Sequence, residues 1–132
     1  MRGDGVAVTS ADPGPLAALA VQYWKLCAAY ERELGFASAE RAVAGEAQLR
    51  FARRRLDAIL GEAGLRVAVW DGVAFTPDVP ASPVNAEDIS DGATAVVEAT
   101  IEPTVTGPDG VVIGGKILLR EVVVSSALPS SP

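Results

Sequence analysis

Residues 64–75 read Gly64-Leu65-Arg66-Val67-Ala68-Val69-Trp70-Asp71-Gly72-Val73-Ala74-Phe75, and within them the hydrophobic period changes from that of a helix to that of a strand. Leu65, Val67 and Val69 alternate with Arg66, Ala68 and Trp70. Asp71-Gly72 supplies a two-residue turn before Val73, Ala74 and Phe75, the pattern of a β-hairpin. Gly64 is a helix stop, and Leu65 is placed to fold back as its hydrophobic contact. Residues before this point read as helix, and residues after it as strand. The fold class is therefore α+β: a short antiparallel helical hairpin followed by a small, mostly antiparallel β domain.

Upstream, residues 1–14 hold Gly3, Gly5, Pro13 and Gly14 and read as a flexible lead. Asp12 can cap a helix that begins at Pro13. Leu16, Leu19, Ala20, Tyr23, Leu26, Cys27, Tyr30 and Leu34 recur at three- and four-residue steps, one broad apolar stripe. Gly35 is expected to end this helix in a left-handed conformation. Ser38 can cap a second helix whose line runs Ala42, Leu49, Leu56 and Ala63, with Ala52 and Ile59 beside it and Gly45 as a weak spot. Helices joined by about four residues pack antiparallel, so residues 15–64 form a hairpin. Such a pair buries one side of each helix and needs the β domain, a second copy, or both.

Downstream, Pro77, Pro80 and Pro83 lie in residues 76–91, a stretch expected to hold no regular ladder. Strands are predicted near 94–101 and 111–124, separated by Pro103 and the turn Gly107-Pro108-Asp109-Gly110. Gly114-Gly115 marks a bulge or bend. The β domain thus spans 65–124, and 125–132 reads as a disordered tail.

The chain has 132 residues, 49% hydrophobic and 21% charged, with a net charge of -6. That length holds one modest core or two small packed units. The acidic balance argues against nucleic acid. Residues 15–64 carry seven basic and six acidic side chains, whereas 65–132 carry three and nine, so a basic partner surface would be drawn to the second half. One cysteine excludes an internal disulfide framework. Gln22 and Lys25 interrupt the most apolar stretch, which is too short to span a bilayer. A cytoplasmic location is the expectation.

Catalytic equipment is sparse. Histidine is absent, and with it the side chain that exchanges protons most readily near neutral pH. Cys27, on the apolar stripe, reads as buried filler, and zinc sites of the Cys/His kinds cannot be assembled. Asp71, Asp78, Glu87, Asp88, Asp91 and Glu98 follow no calcium-loop or acid–base spacing. No catalytic residue, metal ligand or cofactor is assigned. Arg50, Arg53, Arg54 and Arg55 form the one basic concentration, either a contact face or a solvated face with Asp57 pairing to Arg53. Tyr23, Trp24 and Tyr30 are core packing or, with Leu49, Leu56 and Ile59, the seam between two copied hairpins. Trp70 and Phe75 carry the same two alternatives.

The order of these segments resembles the GrpE family, nucleotide exchange factors of DnaK-type chaperones, over residues 40–124. The helix ending Arg55-Leu56-Asp57-Ala58-Ile59-Leu60 followed by Gly64-Leu65 is similar to the family's leucine-rich helix, glycine and hydrophobic residue. Gly72-Val73-Ala74-Phe75-Thr76-Pro77 looks like its glycine, phenylalanine and proline segment. Asp91-Gly92-Ala93-Thr94-Ala95-Val96-Val97-Glu98 resembles its following strand, and Gly115-Lys116-Ile117-Leu118-Leu119-Arg120 with Val122-Val123-Val124 its last. The long N-terminal coiled coil and the arginine-proline-alanine of the last strand are missing here. The resemblance implies a homodimer joined through the helices, with the β domain wedged into the chaperone's nucleotide-binding domain to speed ADP release. It points to Trp70, Asp71, Phe75, Pro77, Val97, Glu98 and Lys116 as contacts, with Arg53 and Arg54 on the helical side. A divergent dimeric adaptor without exchange activity is the competing reading.

Overall fold

The computed structural model describes residues 12–123. The lead before Asp12 and the tail from Val124 lie outside the described residues. Helix α1 spans Gly14–Leu34 and α2 spans Ala39–Glu62. The strands are β1 (Arg66–Ala68), β2 (Ala81–Pro83), β3 (Ala95–Glu102), β4 (Thr104–Gly107), β5 (Gly110–Ile113) and β6 (Gly115–Glu121), with a short 3-10 turn at Ala86–Asp88 after β2. They form two three-stranded sheets, ordered β1-β4-β5 and β2-β6-β3. The α+β class expected from the sequence is present: a helical pair, then small sheets with antiparallel and parallel pairing.

The chain divides into two compact units. The first is Met1–Ala68 with Val105–Ile113, and the second is Val69–Thr104 with Gly114–Pro132. The strands of residues 65–124 are therefore shared between the units. The first unit owns the helices and covers them with its own sheet, α1 lying on β5 and α2 on β1. Its core is Ala17, Ala20, Val21, Leu56, Leu60, Leu65 and Val105.

Local chemistry explains the helix ends. Asp12 accepts the Gly14 amide at 2.9 Å, so the helix begins one residue after Pro13. Gly35 stays right-handed at φ -64, and α1 ends by tightening, with Gly35 bonding Arg32 and Phe36 bonding Glu33. The expected left-handed stop is absent there. Ser38 caps α2 through the Arg41 amide at 3.3 Å. At the far end Gly64 has φ +75, its amide bonds the Gly61 carbonyl, and the Leu65 amide reaches Leu60 at 2.8 Å. That pair of bonds is the Schellman motif, and burying Leu65 against Leu60 completes it. Gly45 is not a weak spot: it is buried, and a Cβ there would meet Leu34 and Tyr30 of α1.

The hairpin predicted across Asp71-Gly72 does not form. The turn is present, with the Val73 amide on the Trp70 carbonyl at 2.9 Å and Gly72 at φ +81. Asp71 keeps a negative φ, which is the type II pattern; such turns splay their flanks instead of matching strand twist. Residues 72–75 pair with β3 instead, through Gly72 to Val97, Val97 to Val73 and Phe75 to Ala95. The proline-rich stretch does contain a strand. β2 runs parallel to β6, with Pro83 opposite Ile117, and an edge position is where proline is tolerated. Residues 104–107, expected to separate two strands, are themselves β4, rich in the β-branched side chains of Thr104, Val105 and Thr106. The bend at Gly114-Gly115 is where the chain leaves one sheet for the other.

In the second unit side-chain hydrogen bonds supplement the ladder of β3 and β6. Thr104 is fully buried. Its Oγ1 accepts from Trp70 Nε1 at 2.9 Å and the Gly115 amide at 3.2 Å, and donates to the Pro80 carbonyl at 2.8 Å. Asn85 acts as a strand partner for Leu119, accepting its amide at 2.8 Å and donating to its carbonyl at 2.9 Å. A Cβ on Gly115 would lie 2.6 Å from the Glu102 carbonyl oxygen and 2.8 Å from Thr104 Oγ1. Urea unfolding should show Thr104→Val losing about 1–3 kcal/mol, because the Trp70 indole loses its acceptor while the Gly115 amide keeps the Pro80 carbonyl at 3.2 Å; Thr104→Ser should keep most of the stability. Gly115→Ala should cost about 1–3 kcal/mol by overpacking, despite alanine's lower backbone entropy cost.

Candidate functional site

The first unit presents an apolar groove between its helices. Tyr23, Leu26, Cys27 and Tyr30 line it from α1, and Gln48, Leu49 and Ala52 from α2. Tyr23 is fixed there by its hydroxyl, which donates to the Ala52 carbonyl at 3.0 Å. The helix faces differ from the sequence expectation. α1 buries Ala17, Ala20, Val21 and Cys27, and leaves Leu19 and Leu26 at 63% and 71% exposure. Small side chains face inward because they let the helix pack closely; the larger members of the same stripe then fall outside.

The residues assigned to a dimer seam thus separate. Leu56 belongs to the core of the first unit, and Leu49 is buried between the helices. Tyr23 and Trp24 are half-buried. Tyr30 and Ile59 remain exposed, joined by Leu19 and Leu26, which belong to the α1 stripe but not to the assigned seam, and by Phe51, which the line along α2 did not include. Helical angle was the missing signal: Phe51 falls outside the 42-49-56-63 line.

Cys27 is buried. Burial pushes its thiol up, against a smaller downward pull from the nearby Arg53 guanidinium. Arg53 pairs with Glu31 at 3.0 Å, across the helix pair, and not with Asp57 as the spacing suggested. Both partners are exposed, so the pair contributes at most about 1 kcal/mol. Arg54 is exposed on the same helix.

In the second unit the contact candidates also sort by role. Val97 is buried, and Trp70 and Phe75 pack on the core formed by Ala95, Val97, Ile117 and Leu119. Trp70 is held at both ends, its amide on Thr100 Oγ1 at 2.8 Å and its indole on Thr104. Asp71 accepts from both the amide and the hydroxyl of Thr100. These two residues fix the turn. Pro77, Glu98 and Lys116 are exposed, with Lys116 Nζ 3.9 Å from Glu102. Glu98 is the extra residue of a β-bulge, since Val97 faces Leu119 and Ala99 faces Leu118. Ile101 is a second such residue, lying between the Thr100–Ile117 and Glu102–Lys116 pairs, and is 41% exposed. Bulges turn side chains out of the ladder's alternation.

Among the described residues no group of three or more His, Cys, Asp or Glu side chains is arranged to hold a metal, and no helix is long and apolar enough to cross a membrane. No protein-family model, curated protein or solved structure matches the chain.

The Cys27 thiol should react with a disulfide reagent at pH 8 at least about tenfold more slowly in the folded chain than in urea. Its raised pKa also gives a sign. The unfolded thiol ionises first, so this group's contribution to stability is intact below the ordinary thiol pKa and declines as pH rises through and above it.

Proposed function

We propose that this chain is a non-enzymatic, GrpE-like co-chaperone that binds the nucleotide-binding domain of a DnaK-type chaperone and promotes ADP release. The observation that carries the reading is the outward-turned pair of bulge residues, Glu98 and Ile101, on a strand whose surroundings are fixed by Thr100, Thr104 and Asn85. A protein that acts by mechanical wedging needs a rigid, exposed contact and no general base. Glu98, Pro77 and Lys116 are the contacts retained from the resemblance, and Arg54 is a candidate on the helical side. Val97 serves as core, while Trp70 and Asp71 act indirectly by holding the turn.

The same reading makes the protein a homodimer through its helices. Leu19, Leu26, Tyr30, Phe51 and Ile59 are open apolar positions on the helical pair, and exposed apolar area of this kind favours association. Its location is taken to be the cytoplasm of a cell containing such a chaperone.

Release of a fluorescent ADP analogue from the matching chaperone should accelerate on adding this protein. Glu98→Lys, with an unchanged circular dichroism spectrum, should reduce that acceleration by about tenfold, the scale of one lost charged contact. Absence of both acceleration and binding would refute the reading, whereas binding without acceleration selects the adaptor alternative. Sedimentation should give twice the chain mass of 13.6 kDa, and Leu26→Glu should shift it toward one chain.

A further inference from the structure

The second unit contains a cavity of about 500 Å3 whose floor is Phe75, Ile89, Ala95 and Leu119, and whose wall is the chain from Ser90 to Thr94. Its size suits one large side chain with its neighbouring backbone. Phe75 and Ile89 are half-buried here, so the floor is continuous with the unit's apolar core.

The mouth is acidic. Asp91 lines the cavity, and Glu87 and Asp88 stand on the turn between the lining residues Ala86 and Ile89. Glu121 reaches Ser90, whose amide donates to its Oε1 at 2.9 Å. Asp88 is partly engaged by Asn85 at 3.2 Å. Among the described residues neither Glu87 nor Asp91 has a cationic partner. No Lys or Arg lines the cavity. The wider field has the same sign: the first unit holds nine acidic and nine basic residues, and the second eight and two, so the second carries the whole net charge of -6. An apolar floor beneath several carboxylates selects an apolar group carried between positive charges.

We propose that this cavity docks an extended segment of a partner protein in which one aliphatic or aromatic side chain is flanked by lysines or arginines. The anchor side chain fills the space over Phe75 and Leu119. The flanking cations face Asp91, Glu87 and Glu121. The site uses the opposite chemistry from the exposed bulges of β3, and it does not depend on the exchange reading.

The test uses the full chain and a fluorescein-labelled peptide with one leucine between two pairs of lysines. A matched peptide carries serine in place of leucine. Fluorescence anisotropy should show the leucine peptide binding at least about tenfold more tightly, the equivalent of one buried aliphatic side chain. Asp91→Lys, on the exposed rim, should weaken the leucine peptide by about tenfold at low salt and less at high salt. Ala93→Phe should occlude the cavity. Amide shift mapping should confine the peptide's effects to residues 86–95 and 119. Equal affinity for the two peptides would show that charge alone is read and would overturn the proposal. So would unchanged binding by Asp91→Lys, absence of binding at about 1 mM peptide, an affinity weaker than any specific site would show, or shifts centred on the helices. Should Ala93→Phe fail to fold, the rim substitution and the shift map decide.

Discussion

The hydroxyl of Thr104 holds together parts of the second unit that have no long ladder of their own. Fully buried, it accepts from the Trp70 indole and the Gly115 amide and donates to the Pro80 carbonyl. Each bond is worth about 1 kcal/mol net, but the cost of stranding a buried donor is larger. The hub therefore specifies position more strongly than it adds stability. Gly115 has to lack a side chain because the Glu102 carbonyl and this hydroxyl occupy the space. Trp70 in turn fixes the Asp71-Gly72 turn, and Asp71 grips Thr100 on β3. Loss of the Thr104 acceptor would strand the Trp70 indole and loosen the turn it fixes, while the Gly115 amide still holds the Pro80 carbonyl.

β2 has only three residues, and a short edge strand makes few backbone bonds. Asn85 supplies the missing ones by presenting its amide as a strand would, receiving and returning the Leu119 bonds. Glu121 does the same for the Ser90 amide. Polar side chains thus extend the backbone pairing at this edge of the sheet. The first unit needs none of this, because two long helices bury a row of alanines, valine and leucines against β1 and β5.

Signals carried by adjacent residues were legible in the sequence, and signals carried by partners were not. The Gly64-Leu65 stop, the Ser38 cap and the turn at Asp71-Gly72 are local and are found where expected. The hairpin failed because a turn's sequence does not reveal whether its φ values will be those that match strand twist, and the second arm found β3 instead. β2 was hidden by prolines that an edge position tolerates. The helix stripe was found, but its inward edge was misplaced. Periodicity gives a broad face, and only packing decides whether alanines or leucines occupy its centre. The same limit applies to the candidate contacts: alternation buries Val97 and exposes Glu98, and the bulge at Glu98 then shifts the phase so that Thr100 is buried, which sequence spacing does not show.

The carboxylates of the second unit divide into those held by hydrogen bonds and those left exposed. Here Asp71 is committed to Thr100 and Asp88 to Asn85, while Glu87, Asp91 and Glu98 are exposed. Exposed carboxylates beside apolar surface act through their field and through the neighbours they select. The first unit supplies apolar area without net charge, and the acidic second unit supplies charge around small apolar features.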